Sequence, residues 1–173
     1  MRITVRDLTQ NVDFNINLPT EPENLRKSLR EGHEYIIVDY DGILRPGELS
    51  DINELNDFLI YCKENDIDDN TLRILSVIYL YEEVLECVKG DSYTIVDFAS
   101  ETAEWFCGVG GDYTNDEHLG LCLFSAGYGN LPFPYTEEME DYIKWEYVWT
   151  DAQCTGWRRV IVDNKCYLVK WWC

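Results

Sequence analysis

Residues 46–154 carry 24 Asp and Glu against four Lys and Arg, a formal charge of −20 in a chain whose total is −19. Residues 1–45 contribute −2 and residues 155–173 contribute +3. Duplex DNA carries about one negative charge per 1.7 Å of axis, so twenty charges match about 34 Å of duplex, roughly ten base pairs. A compact chain of this length has a radius of gyration of about 16 Å and spans about 40 Å. One protomer can therefore present a duplex-like linear charge density, which makes the chain a candidate decoy for a DNA-binding protein. The plainer alternative is high solubility, because net charge by itself argues about solubility and association rather than fold.

The chain is nonetheless built to fold. Hydrophobic residues make up 46% and aromatics 14%, whereas highly charged disordered chains are poor in aromatics. Residues 1–8 have no apolar stretch of the signal-peptide kind. The longest apolar run, residues 74–81, is far short of the ~18 residues of a membrane helix. The seven cysteines (62, 87, 107, 122, 154, 166, 173) are odd in number, lie far apart and form no CxxC. This pattern predicts scattered thiols in a reducing cytosol. His33 and His118 are the two histidines, too few to suggest a His/Cys zinc site. Direct nucleic-acid binding is disfavoured, since phosphate neutralisation needs a basic patch.

Ile3 and Val5, then Phe14, Ile16 and Leu18, alternate with polar residues and predict two short strands. Residues 21–30 read as a helix opened by Thr20, with Pro22 in its first turn. Residues 35–40 read as a strand ending at Asp41-Gly42. From Ser50, a plausible N-cap, Ile52, Leu55, Leu59 and Cys62 fall on one helical face and Glu54, Asp57, Tyr61 and Glu64 on the other. A second helix spans 70–88, broken near Leu80 and ended by Gly90. Further on, the sequence predicts a strand at 93–96, a helix at 100–107 stopped by the glycines of 108–111, and a loop at 127–134. Thr136 is expected to cap a helix with Glu137, Glu138, Glu140 and Asp141 in its early turns. Strands at 157–162 and 166–171 flank a hairpin turn at Asp163-Asn164-Lys165. The expected class is α+β, with strand-containing N- and C-terminal domains flanking a helical middle domain. The boundaries are 1–46 (β-rich with a short helix), 47–90 (acidic, helical) and 91–173 (α+β and aromatic-rich).

Three motifs suggest other chemistries. Residues 35–44 resemble a phosphatase strand followed by DxDGT, in which Asp39 would attack phosphorus and Asp41 would donate a proton. Ile43 stands where Thr is needed, and no later acid pair completes a magnesium site. The plainer reading is a strand that ends in an Asp-Gly turn. Asp66-x-Asp68-x-Asn70 begins like a calcium loop, but Thr71 replaces the required Gly and Val77 the required Glu. Gly108-Val-Gly110-Gly111 follows a helix rather than a strand, so it reads as a helix stop and not a dinucleotide loop. The aromatic wealth of Tyr142, Trp145, Tyr147, Trp149, Trp157, Trp171 and Trp172 suits a mixture of interface anchors and core.

Three co-linear stretches resemble the ArdA antirestriction proteins of conjugative elements and phages. The first is Glu34-Tyr-Ile-Ile-Val-Asp39-Tyr40-Asp41, followed by Ser50-Asp-Ile52-Asn-Glu54-Leu55-Asn56. The second is Val96-Asp97, then Ala103-Glu104-Trp105-Phe106. The third is Asn130-Leu131-Pro132, then Tyr142-Ile143-Lys144-Trp145-Glu146-Tyr147, Asp151 and Gly156, similar to the segment read as the antirestriction motif. Order and spacing agree over residues 12–170. The chain departs from the family at Lys144, where an acid is usual, at Trp149-Thr150, at Val5–Asn15, and at residues 111–129, which read as an insertion.

The resemblance implies an elongated three-domain protomer that dimerises through its C-terminal domain, with an interface at Tyr142, Ile143, Trp145, Tyr147 and Trp149. It implies a curved acidic face imitating bent B-form DNA. The expected mimic surface comprises Glu48, Asp51, Glu54, Asp57, Glu64, Asp66, Asp68, Asp69, Glu82, Glu83 and Glu86. It continues with Asp97, Glu101, Glu104, Asp112, Asp116, Glu117, Glu137, Glu138, Glu140, Asp141, Glu146 and Asp151. The implied partner is the DNA-binding groove of a type I restriction-modification complex in a host bacterial cytoplasm. No catalytic residue, cofactor, metal, nucleic acid or membrane enters this reading. Two other readings remain: an inhibitor of another DNA-binding defence nuclease, such as a CRISPR effector, and a magnesium-dependent phosphatase using Asp39.

Overall fold

The structure, a computed structural model, describes residues 1–103, 106, 111–129, 131 and 133–172. It is a mixed α+β chain with strands near both ends and two small antiparallel sheets. By compactness it divides into two units, Met1–Glu86 and Cys87–Cys173. Both are acidic, with formal charges of −11 and −8. No helix among the described residues is long and apolar enough to cross a membrane.

In the first unit, β1 (Arg2–Asp7) lies between β2 (Val12–Asn17) and β3 (Tyr35–Asp41). Alternation places Ile3, Val5, Ile16 and Ile37 in the core, with Thr4–Asn15 and Arg6–Asp13 paired on the opposite, solvated face. The β1–β2 turn is held by Asp7, whose carboxylate accepts the N–H groups of Thr9 and Gln10. Asn11 takes the left-handed conformation there, at φ 55°. Helix α1 (Pro22–Ser28) is preceded by Glu21 as its cap residue. The expected cap, Thr20, is engaged elsewhere: buried Asn56 accepts its N–H at 2.8 Å and donates to its carbonyl at 3.0 Å.

Asn56 lies on α2 (Ile52–Glu64). This two-bond clamp, with the Ile37 N–H to Glu48 carbonyl bond, joins residues assigned from sequence to an N-terminal and a middle domain. Both segments belong to the first compact unit as far as Glu86. Helices α3 (Asp69–Ile78) and α4 (Tyr81–Lys89) follow, and Phe58 of α2 meets Tyr81 of α4 edge to face. The expected break near Leu80 is present, because Glu83 accepts the Leu80 N–H and starts a new helix there.

In the second unit, β6 (Lys165–Trp171) is flanked by β4 (Tyr93–Asp97) and β5 (Arg158–Val162). Asp163 and Asn164, both at positive φ, make the tight two-residue hairpin that such φ values favour. Helix α5 (Phe98–Thr102) starts earlier than the sequence indicates, because Asp97 caps it. Positions 104, 105, 107–110, 130 and 132, which carry part of the expected helix, its glycine stop and Glu104, lie outside the described residues.

Residues 111–129, which read as an insertion, contribute to the core of the second unit. They contain α6 (Asp116–Ser125), whose Leu119, Leu121, Cys122 and Leu123 are buried. Leu119, Cys122 and Leu123 share a core with Trp149, Trp157, Cys166 and Leu168, while Leu121 packs with Ile143, Trp145 and Val148. The single helix expected after Thr136 is two pieces: a 3-10 turn at Glu137–Tyr142 and α7 (Trp145–Cys154). Helices α6 and α7 touch so closely at Gly120 that a Cβ there would lie 1.8 Å from the Trp145 carbonyl oxygen.

Candidate acidic surface

None of the expected mimic carboxylates that the structure describes is buried; most are exposed and the rest half-exposed. Glu104 is outside the described residues. The structure divides most of the others by their role in the fold, with Glu48 and Asp57 exposed but in neither set.

One set builds helix N-termini. Asp51, not the expected Ser50, caps α2 by accepting from Asn53 and Glu54 N–H groups, and the Ser50 hydroxyl has no hydrogen-bond partner. Asp68 caps α3 through Thr71, and Asp97 caps α5 through Ala99 and Ser100. Hydrogen bonds led by the Thr71 N–H hold the Asp68 carboxyl below the usual carboxylate range. The Thr114 hydroxyl and N–H do the same for Asp112. Glu54, Asp69, Glu82, Glu83, Glu101, Asp116, Glu117 and Glu146 sit in first turns, where the helix dipole favours negative charge.

A second set has no such explanation. Glu64 is the last residue of α2, and Glu86 and Asp151 lie in the last turns of α4 and α7. A carboxylate at a helix C-terminus faces the negative end of the dipole and is unfavourable there. Glu86 also follows Glu82 and Glu83 at i+4 and i+3, spacings at which like charges repel. Asp66 is a different case, since it occupies the left-handed region at φ 54°, which Asp tolerates better than most residues. The 3-10 turn is mixed: Glu137, Glu138 and Glu140 lie in its first turn and Asp141 follows them. Asp91, exposed and at φ 46°, is the one carboxylate of residues 46–154 outside the mimic surface expected from sequence.

The expected dimer residues separate sharply. Ile143, Trp145 and Trp149 are core residues of the second unit, Trp149 being 3% exposed, so they present little area to a partner. Tyr142 is 86% and Tyr147 60% exposed. Helical spacing puts 145 and 149 on the inner face and 147 on the outer one, a split that aromatic content alone does not reveal.

Asp39 and Asp41 are exposed on β3, an edge strand of an antiparallel sheet. No group of three His, Cys, Asp or Glu side chains among the described residues could hold a metal ion. Cys62, Cys87, Cys122 and Cys166 are buried and Cys154 is exposed. Burial pushes the Cys166 thiol up to about 11 and raises Cys122 further. No protein-family model and no curated protein matches the chain.

Proposed function

We propose that this protein is an acidic DNA mimic that occupies the DNA-binding groove of a host defence enzyme, a type I restriction-modification complex, and so blocks restriction. The observation that carries this reading is the second set of acids. Glu64, Glu86 and Asp151 stand in the last turns of helices, where helix electrostatics work against them. A requirement for solubility alone could be met at helix N-termini, where carboxylates stabilise the fold. Acids that oppose the fold call for a use outside it, and a basic groove supplies one.

On this reading the protein acts by steric and electrostatic competition, not catalysis, in the bacterial cytoplasm. It is an elongated chain of small domains that dimerises through its second half, with Tyr142 and Tyr147 as the available anchors. The test is competition: a fluorescent duplex bound to a purified type I complex is displaced by the protein. Inhibition should weaken steeply between about 50 and 200 mM salt, as for any association between a polyanion and a basic groove. Joint neutralisation of Glu137, Glu138, Glu140 and Asp141 should weaken it in a graded way with an unchanged circular dichroism spectrum. Salt-insensitive inhibition that survives this neutralisation would sink the mechanism.

A further inference from the structure

We propose that the cavity at the C-terminal end of α1 binds a small phosphorylated molecule. The cavity has a volume of about 510 Å³ and lies within the first unit, inside the size range of small-ligand sites. Arg26, Arg30 and His33 line it. In a chain of charge −19, two arginines at one cavity are an unusual concentration of positive charge.

Neither arginine is neutralised by the fold. Arg6 is tied to Asp13 in a two-bond pair, but Arg26 and Arg30 form no ion pair among the described residues. A cation in the last turn of α1 suits the helix dipole, which accounts for Arg26. It does not account for Arg30, which follows the helix end. The main chain at Arg30 is held in place instead: its backbone N–H donates to the Tyr35 hydroxyl at 2.7 Å.

His33 is held through its side chain. Its Nδ1 donates to Oδ2 of buried Asp7 at 2.7 Å. Burial raises the Asp7 carboxyl, but hydrogen bonds from His33, Gln10 and Thr9 outweigh it and keep Asp7 ionised. This bond fixes the imidazole ring and leaves Nε2 for a ligand. Tyr35 stacks on His33 with an interplanar angle of 21°. With Leu29 it supplies an apolar wall, and Asn53 adds an amide. Glu31 is the one carboxylate in the lining, so the lining is net positive.

Two guanidinium forks beside an imidazole match the tetrahedral oxygens of a phosphate better than they match a planar carboxylate. The ligand must be small. The first unit carries −11, so a nucleic acid or an anionic membrane would bring many charges against an acidic surface. A small dianion is governed by charges within about one Debye length, roughly 8 Å at physiological salt.

The test uses the full chain with inorganic phosphate, phenyl phosphate and acetate, followed by calorimetry and amide chemical shifts. Phosphate should bind saturably one to one, with shifts confined to residues 26–35 and 53. Phenyl phosphate should bind at least as tightly, because Leu29 and Tyr35 can cover its ring. Acetate should bind about tenfold more weakly, and R30Q should cut phosphate affinity by about tenfold. R45Q removes a cation that does not line the cavity and should leave affinity within about twofold. Should R30Q disturb the circular dichroism, R26Q carries the same expectation. No saturable phosphate binding up to about 10 mM, weaker than the millimolar range of the weakest specific sites, would overturn the proposal. So would an R45Q variant as impaired as R30Q.

Discussion

The acids that oppose the fold lead to a prediction in which stability and function move in opposite directions. Consider the triple variant Glu64→Gln, Glu86→Gln, Asp151→Asn. Each change removes a negative charge from the last turn of a helix. A favourable charge–dipole interaction is worth about 0.3–1 kcal/mol at low salt, and the unfavourable one costs a similar amount. The three side chains are exposed, so the lower half of that range applies to each. The triple variant should then gain about 1–2 kcal/mol. For a chain of this length about 1 kcal/mol moves Tm by roughly 2–4 °C, so Tm should rise by about 2–8 °C at low ionic strength. The gain should shrink toward zero near 1 M salt, where the Debye length is about 3 Å.

If the same carboxylates imitate phosphates, removing one exposed charge pair from the complex costs about 0.5 kcal/mol. Three together come to about 1.5 kcal/mol, close to a tenfold decrease in affinity. Thermal unfolding followed by circular dichroism at two salt concentrations measures the first quantity. Displacement of duplex from the target enzyme measures the second. A variant that is more stable and inhibits equally well would reduce these acids to solubilising charge. A destabilised variant would refute the electrostatic assignment itself.

Further expectations concern the framework that presents the surface. Gly120→Ala gains up to about 1 kcal/mol of helix propensity, but its Cβ would lie 1.8 Å from the Trp145 carbonyl oxygen. Overpacking of about 1–3 kcal/mol or more should dominate, and a Tm at or above wild type would show that α6 and α7 separate freely. Asp51→Ala should cost about 1 kcal/mol by uncapping α2. Ser50→Ala should cost far less, since its hydroxyl has no partner; equal Tm losses would refute the assigned cap. Asp7 and Asp68 have folded pKa values below the ordinary 3.8. Their stabilising contribution is therefore complete above that value and is lost as pH falls through the folded values. Acid titration of Asp68→Asn should show a shallower decline below about pH 4 than wild type, and an identical acid limb would remove Asp68 from that account.

Much of this protein could be read from local chemistry. Strands β1, β2 and β5 follow from alternation, because a half-buried strand has period two, whereas β6, expected to alternate, buries four consecutive residues. The break between α3 and α4 and the Asp163-Asn164 hairpin follow from turn chemistry. The outward carboxylates of α2 follow from its amphipathic period. Helix α6 was invisible for the opposite reason. Its Leu119, Leu121, Cys122 and Leu123 are all buried, so the helix is apolar nearly all round and has no polar stripe to betray a period. The expected helix after Thr136 breaks at Ile143, where the buried side chains of Ile143 and Trp145 commit the chain to the core.

Charge, being a sum, is complete in the sequence: the acidity of residues 46–154 needs no coordinates. What each carboxylate does depends on position, and tertiary structure decides that. It separates the capping Asp51, Asp68 and Asp97 from Glu64, Glu86 and Asp151, because the helix dipole has a direction that only observed helix ends define. It turns Trp145 and Trp149 inward and leaves Tyr142 and Tyr147 outside, because α6 covers one face of α7. It also brings Arg26, Arg30 and His33 around one cavity, with the Arg30 backbone bonded to Tyr35 and His33 to Asp7, contacts that no local pattern encodes.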